Sequence, residues 1–548
     1  MIQSLLCPQS PLTTTTTSDP RIHCPRRLSN LEYIPTKIIC SSQTRNPNSV
    51  NNFTKPRNNI LGPVMVTPIQ VARKGRDIGE ERDFSQLGAR QMLILCGFGY
   101  WVQGFRCFPW LALNFHMAHG LNVYPSTLQL VQFSGNLPMV AKPLYGILSD
   151  ALYIFGAHRI PYISIGVLLQ VLAWGPMALA PIVGQALPTL MACVLLSNLG
   201  ASIAEVAKDA LVAEYGQKYK MGGLQSFAFM ASAVGGVLGN LLGGYFLLKA
   251  PPRTMFLAFS VLLSLQLMFS LTTREDSLGL SQQSNQARKS IWESIRKQLS
   301  DLRMAIKEES ISRPLTWVVA SIATVPILSG SIFCYQTQCL HLDPSVIGMS
   351  RVIGQLMLLS LTVLYDRFWK DVPVRKLVGV VQMIYASSLL LDLVLVRQIN
   401  LLLGIPNEVF ALCFSGLAET LAQFKLLPFL VLVANLCPRG CEGSLTSFLA
   451  SALCLSSILG GFLGVGLASL IRITSGDYSS LPVGILIQFL AALVPLGWLH
   501  YVPMSQTIVE KDRKKRLSRR TRKNRRIGRT SLDSLSAYRR ERESETQS

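Results

Sequence analysis

Apolar segments about as long as a membrane span recur along this 548-residue chain, and they constrain its fold more than any other feature. A helix needs about 20 apolar residues to cross the hydrocarbon core of a bilayer. Charged residues make up only 15% of the chain, against about 25% in soluble proteins. The short alternating segments typical of a membrane β-barrel do not occur. The sequence therefore predicts an all-α, polytopic membrane protein.

We predict about twelve transmembrane helices in two halves of six. They are numbered spans 1 to 12 and lie near residues 92–118, 126–150, 160–181, 187–213, 223–248, 254–273, 313–339, 346–369, 374–396, 405–435, 443–471 and 482–503. Between the halves, apolar residues at helical spacing over 291–306 predict an amphipathic helix on the bilayer surface, although a solvated linker helix fits equally well.

The predicted domain organisation has five parts. They are a leader over 1–76, an N-terminal six-helix bundle over 77–273, a central linker over 274–312, a C-terminal six-helix bundle over 313–505 and a basic tail over 506–548.

The net charge of +22 is concentrated in the two tails. Residues 1–76 hold ten Lys/Arg against two acids, and residues 511–548 hold fifteen against five. The helical core is therefore nearly balanced, and it has no basic groove with interleaved aromatics, so we predict no nucleic-acid partner. The expected partner of the apolar spans is the lipid bilayer, and we expect the protein to act as a monomer.

The leader and the loop charges predict where the protein resides and how it is oriented. The leader is rich in Ser, Thr and Arg, poor in acids and without an early apolar core, which is typical of an organelle transit peptide and favours a plastid. A disordered cytosolic tail is the alternative. Loops after even-numbered spans carry Lys and Arg, whereas the loops over 121–125 and 182–186 carry none. This asymmetry places both tails on the inner, stromal side of a chloroplast membrane.

A charged turn recurs at corresponding places in the two halves. Span 2 ends in Gly146-Ile-Leu-Ser-Asp150, followed by Arg159, and span 8 ends in a turn with Asp366, followed by Arg375. A recurrence six spans apart is typical of transporters built from two parallel repeats. We therefore interpret these five residues as a gating motif.

Several segments together resemble one transporter family. Gly146–Asp150 with Arg159 resembles the loop signature of the major facilitator superfamily. Five further segments resemble the folate-biopterin transporter family within it: KPLYGILSD at 142–150, YWVQG at 100–104, DALVAE at 209–214, PFLVLVA at 428–434 and CPRGCEG at 437–443. The resemblance covers roughly 92–500, is closest to plant plastid-type members, and implies a major facilitator fold and a carrier for folates or pterins, often coupled to protons.

Ionisable side chains inside the spans are the candidate functional residues, because they are costly in a bilayer and are usually retained for function. The predicted substrate-binding candidates are Arg106, Gln103, Lys142, Glu419, Lys425 and Gln423, and the proton-coupling or ion-pair candidates are Glu205, Lys208 and Asp209. Arg106 suits a carboxylate because its planar guanidinium binds carboxylates in a bidentate manner. Internal ion pairing that fixes helix register is the alternative role for the charged groups.

Two classes of function remain open from the sequence. The first is secondary active transport of a folate or pterin-like organic anion by alternating access, with proton coupling. The second is a non-transporting membrane protein, such as a scaffold or receptor, or a carrier of another organic anion, that keeps the carrier fold. No Gly-Lys-Ser/Thr phosphate loop, zinc-ligand spacing or nucleophile elbow occurs, so we predict no enzyme activity, cofactor or metal.

Overall fold

A computed structural model of the chain describes residues 79–154, 157–180, 186–219, 224–273, 307–369, 372–436 and 442–502, together with Glu275, Arg296, Ser300 and Arg303. The predicted leader, the basic tail and most of the central linker lie outside these residues. The regular secondary structure of the described part is helical, with two isolated β-bridges. From Arg82 onward the described residues belong to one unit.

The first six predicted spans are all helical. Their observed bounds are Gly79–Phe105, Cys107–Phe115 and His116–Gly120 for span 1, Pro125–Ser134, Leu137–Val140 and Lys142–Ala151 for span 2, Ile160–Leu179 for span 3, Leu187–Lys218 for span 4, Leu224–Leu247 for span 5 and Pro252–Thr272 for span 6.

The second six spans are helical as well. Their bounds are Glu309–Ala323, Ser329–Cys334 and Tyr335–Cys339 for span 7, Pro344–Leu364 and Tyr365–Trp369 for span 8, Val374–Val396 for span 9, Asn407–Phe414 and Leu417–Leu436 for span 10, Glu442–Leu470 for span 11, and Leu481–Leu493 and Val494–Tyr501 for span 12. The predicted all-α membrane fold is confirmed.

Spans 1, 2 and 7 are broken, unlike most of the others. Nine helical segments in the described part of the chain are long and apolar enough to cross a membrane, and they correspond to the other nine spans. Proline explains the interruptions, since it lacks an N–H and clashes with the preceding turn. Pro109, Pro138 and Pro326 lie at or just after the breaks in spans 1, 2 and 7.

The ends of spans 1 and 7 repeat each other in unusual detail. Each span finishes in a π-helical turn, His116–Gly120 or Tyr335–Cys339. A residue with φ of 47° follows each turn, Asn122 in the first half and His341 in the second, and a proline then begins the next span. Because single π-helical turns and positive φ values are both uncommon, their coincidence supports the predicted two-half repeat.

Glycines bring neighbouring spans into backbone contact. A Cβ atom on Gly166 of span 3 would lie 2.4 Å from the carbonyl oxygen of Gly200 on span 4, and a Cβ on Gly200 would meet Gly166 equally closely. Spans 1 and 5 meet in the same way, because a Cβ on Gly104 would lie 1.9 Å from the carbonyl oxygen of Ser232. Small residues at such crossings permit the close packing that holds membrane helices together.

The two halves meet chiefly along three pairs of spans. Span 2 packs against spans 7 and 11, and span 5 packs against span 8. At one end of the bundle, which we call the Gln338 end, Gln338 of span 7 donates a hydrogen bond of 3.2 Å to the carbonyl oxygen of Ala118 in span 1. At the opposite end, the Arg159 end, Arg159 lies among the ends of spans 2, 3 and 4.

The crossing of spans 3 and 4 yields a matched pair of variants. Gly166→Ala should destabilise the protein by about 1–3 kcal/mol, because its methyl group overlaps the span 4 backbone. Gly175→Ala is the control in the same helix, since its Cβ would lie 3.6 Å from the hydroxyl of Ser260, an ordinary contact. Thermal unfolding of the two purified variants in detergent would test this, and equal midpoints would contradict the packing described.

Candidate functional site

Arg106 occupies the break in span 1 and turns into the interior of the first half. Pro109 cannot donate to the carbonyl of Phe105, four residues earlier, so the helix stops at Phe105 and restarts at Cys107. Close packing of Gly235 against the carbonyl oxygen of Trp101 holds the preceding turn in place. Arg106 is therefore fixed by the backbone on both sides, and only 8% of it is exposed.

Glu205 on span 4 joins two buried cations. Its Oε2 accepts a hydrogen bond of 2.6 Å from Nζ of Lys142 on span 2. Its Oε1 lies 3.3 Å from Nη1 of Arg106. The three side chains are at most 9% exposed, so one carboxylate links spans 1, 2 and 4 in a region from which water is largely excluded.

Asn198 completes this arrangement from span 4. Its amide oxygen accepts a hydrogen bond of 2.5 Å from Nη2 of Arg106. Its amide nitrogen donates to the carbonyl oxygen of Gly135, at the break in span 2, over 2.6 Å. The guanidinium thus has defined partners at Nη1 and Nη2, whereas its buried Nε has no hydrogen-bond partner among the described residues.

Lys208 and Asp209 extend the arrangement along span 4. Nζ of Lys208 donates to Oε1 of Gln103 over 2.7 Å and to the carbonyl oxygen of Gly99 over 3.0 Å. The same ammonium group lies 5.0 Å from the centre of the Tyr100 ring, a cation–π distance. The hydroxyl of Tyr100 in turn donates to Asp209. Six predicted site residues therefore lie together between spans 1, 2 and 4.

The charges of this group do not cancel. We call Arg106, Lys142, Lys208, Glu205 and Asp209 the buried charge network, and it contains three cations and two carboxylates among the described side chains. A buried charge is stabilised when an opposite charge lies nearby, and this attraction is strongest where the dielectric constant is low. The excess of one positive charge can therefore hold one additional anionic group.

The predicted residues on span 10 form separate contacts in the second half. Gln423 donates a hydrogen bond of 3.2 Å to Glu419, one helical turn away. Lys425 is 2% exposed and donates over 3.1 Å to Gln382 of span 9, with its Nζ 5.1 Å from the centre of the Tyr385 ring. The contacts of Lys425 are thus with span 9 of its own half.

Arg159 connects the ends of three spans at the Arg159 end of the bundle. Its Nη2 lies 2.5 Å from Asp150 of span 2 and 2.5 Å from Glu214 of span 4. Its Nη1 donates to the hydroxyl of Ser149 over 2.5 Å. Two residues of the gating motif, Asp150 and Arg159, are therefore in contact, and Glu214 is a further partner that the motif did not indicate.

Glu275, just beyond span 6, caps the start of span 3. Its carboxylate accepts hydrogen bonds from the backbone N–H groups of His158, Arg159 and Ile160. These donors are unpaired in an isolated helix, and a negative charge is favoured at this position. Burial lowers the pKa of His158 in the same loop, and the charge of Arg159 lowers it further.

The remaining motif residues lie near helix ends. A Cβ on Gly146 would lie 3.4 Å from Val206 of span 4, so Gly146 allows spans 2 and 4 to approach. Arg375 donates to the carbonyl oxygens of Val502 over 2.6 Å and His500 over 3.0 Å, at the end of span 12. Asp366 belongs to the π-helical turn Tyr365–Trp369, and its side chain lies outside the described part.

Sequence reasoning missed other polar groups that share the interior of the spans. Arg351 in span 8 is 9% exposed, and Asp392 lies within span 9. Each is a charged residue in an apolar run, so the rule that selected Arg106 would also have selected both. Asn198 gave no comparable signal, because a buried amide more often serves as an interhelical contact.

Removing the bridging carboxylate should be costly. Glu205→Gln leaves Arg106 and Lys142 buried without their shared negative charge, and we expect a loss of about 3–5 kcal/mol of stability. Glu309→Gln is the control, because it breaks the ion pair of Glu309 with Arg313, in which both side chains are more than half exposed, and should cost less than about 1 kcal/mol. Unfolding in detergent would compare them, and a Glu205→Gln variant as stable as Glu309→Gln would contradict the bridge.

The chain has the same fold as transporters of known structure. A D-xylose–proton symporter has a TM-score of 0.53 to this chain at 16% identity, covering 77% of this chain and 98% of the symporter. The nucleoside transporter NupG has a TM-score of 0.53 at 15% identity, covering 76% of this chain and 98% of NupG. This likeness confirms the predicted major facilitator fold.

Sequence comparison identifies the family. Over 466 residues, the chain is 63% identical to the probable folate-biopterin transporter 8, chloroplastic, of Arabidopsis thaliana, covering 85% of this chain and 86% of the relative. It is 27% identical to the folate-biopterin transporter of Synechocystis, covering 74% of this chain and 80% of that relative. Both relatives are named as folate-biopterin transporters, the first as a probable one. The model of the BT1 family matches residues 103–522, and the chain therefore belongs to the BT1 family.

Proposed function

We propose that this protein is a secondary active transporter that moves a folate or pterin-like organic anion across a chloroplast membrane by alternating access, coupled to protons. The observation that carries the proposal is the buried charge network with its excess positive charge. The names of the relatives supply the substrate class, and the network supplies a group that would bind its carboxylate.

Arg106 is the residue in the network best suited to bind the substrate. Its guanidinium has five N–H donors, and among the described residues its Nε donates to none. A substrate carboxylate beside Arg106 would balance the excess positive charge of the network. Gln103 lies on the preceding turn of the same span and would present its amide to the pterin ring.

Glu205 is the proposed proton-binding group. It shares its two carboxylate oxygens between Lys142 and Arg106, so a substrate carboxylate must compete with it for the same cations. Protonation of Glu205 removes this competition and raises the positive charge of the network to two. A proton on Glu205 and an anion at Arg106 would therefore favour each other's binding, which is the requirement for symport.

The Arg159 end would act in conformational change rather than in binding. Asp150, Glu214 and Arg159 join spans 2, 3 and 4 by charge-assisted contacts, which would keep the first half rigid as the halves rearrange. In the second half, Arg375 would join spans 9 and 12, with Asp366 near the same end. We propose that the protein acts as a monomer, with both tails in the stroma.

Uptake of labelled folate tests the transport proposal. In proteoliposomes with an imposed pH gradient, we expect folate to accumulate on the alkaline side. Arg106→Gln should raise KM about 10- to 100-fold, since a charge-assisted contact contributes about 1.5–3 kcal/mol to binding. Arg313→Gln is the control, because Arg313 is 60% exposed on the surface.

Two results would contradict the proposal in different ways. Folate binding without uptake of folates, pterins or other organic anions would favour a non-transporting receptor with a carrier fold. Uptake that is equal in Arg106→Gln and Arg313→Gln would remove Arg106 from the substrate site while leaving transport intact.

A further inference from the structure

Gln129 links the two halves of the protein through backbone atoms. It lies in the first segment of span 2, and its side chain is completely buried. Its amide nitrogen donates to the carbonyl oxygens of Ile327 and Gly461, the latter over 3.1 Å, and its amide oxygen accepts from the N–H of Gly330 over 3.2 Å. All three partners belong to spans 7 and 11 of the second half.

The partners of Gln129 are available because span 7 is broken. The helix stops at Ala323 and resumes at Ser329, which leaves the peptide groups around Pro326 outside a helix. Ile327 uses its N–H to donate to the carbonyl oxygen of Gly460 over 3.0 Å and its own carbonyl to accept from Gln129. The glutamine amide therefore replaces a hydrogen bond that a continuous helix would have provided.

Glycines shape the slot into which this side chain fits. A Cβ on Gly330 would lie 2.6 Å from Cβ of Gln129. A Cβ on Gly464 would lie 1.8 Å from the carbonyl oxygen of Ile327 and 2.5 Å from the amide nitrogen of Gln129. The space at this crossing is thus matched to one glutamine side chain.

We propose that Gln129 is a latch that holds the Gln338 end of the transporter closed. The latch is formed only while span 2 lies against spans 7 and 11, because every partner of its amide is on the opposite half. Opening this end must separate Gln129 from Ile327, Gly330 and Gly461. A buried backbone group without a partner is costly in a membrane, so opening would require water to reach the broken segment of span 7.

This inference rests on the proposed alternating access, but it concerns a separate region from the buried charge network. A neighbouring glutamine on the same helix makes a contact that stays within the first half. Gln132, one turn along the same helix, donates over 3.1 Å to Asn114 of span 1, within the first half. Variants of Gln129 therefore test a contact between the two halves, and variants of Gln132 test a contact within the first half.

Native cysteines report on the opening. Cys334 is fully buried in the core that includes Phe115 and Phe333 from the ends of spans 1 and 7. Cys96 is also buried, but it lies in span 1 with its thiol 3.9 Å from the sulfur of Met92 and is removed in sequence from the break of span 7. The labelling rate of Cys334 should rise when the latch is broken. The labelling rate of Cys96 should rise only if the whole protein becomes less stable.

The test is maleimide labelling of the full-length protein in nanodiscs, followed by peptide mass spectrometry. Gln129→Met fills the slot without the hydrogen bonds, and we expect Cys334 to be labelled about tenfold faster, a change equivalent to about 1.4 kcal/mol. Cys96 should be unaffected. Gln132→Ala should leave both rates unchanged.

Several outcomes would overturn the latch. They are an unchanged Cys334 rate in Gln129→Met, an equal increase at Cys96, and an equal increase at Cys334 in Gln132→Ala. If Gln129→Met does not fold, Gln129→Glu serves instead. Its carboxyl loses a proton as the pH rises and is then repelled by the carbonyl oxygens of Ile327 and Gly461, so the ratio of the Cys334 to the Cys96 labelling rate should rise with pH. A ratio that does not change with pH would overturn the proposal. Absence of folate uptake in the natural protein would contradict the transport proposal and leave this labelling result interpretable.

Discussion

The contact of Glu205 with Lys142 and Arg106 is the interaction on which the first half of this protein depends. Three charged side chains are removed from water there, and each would be costly alone. One carboxylate shared between two cations reduces that cost without cancelling the charge. Spans 1, 2 and 4 are therefore held together by a group that remains able to attract an anion.

The backbone around Glu205, Lys142 and Arg106 is interrupted in a way that allows these charged side chains to be buried together. Breaks at Arg106 and at Gly135 leave polar atoms in the buried interior of the bundle. Asn198 accepts a hydrogen bond from the Arg106 side chain and donates one to the carbonyl oxygen of Gly135. Discontinuous helices at the centre of a bundle are a recurring way to build transporter sites. Here proline causes the breaks, and glycine crossings keep the neighbouring spans close enough to bury them.

Much of the fold could be predicted from the sequence, because long apolar runs and basic loops report directly on membrane insertion. The residues grouped on spans 1, 2 and 4 were also predictable, since charge in an apolar run is costly. Their pairing was not, because Lys142 and Glu205 are 63 positions apart and only packing joins them. The sequence also gave no sign that Gln129 bonds across the halves, since that contact requires the unwound backbone at Ile327.

In the proposed transporter, the buried charge network binds the carboxylate of the substrate. Binding of folate and of folate diamide to the purified protein tests it directly, because the two compounds share the pterin ring and differ in charge. We expect folate to bind and the diamide to bind at least about tenfold more weakly, the factor that corresponds to one lost charge-assisted contact. Equal affinity for the two compounds would contradict the claim and would place recognition on the ring alone.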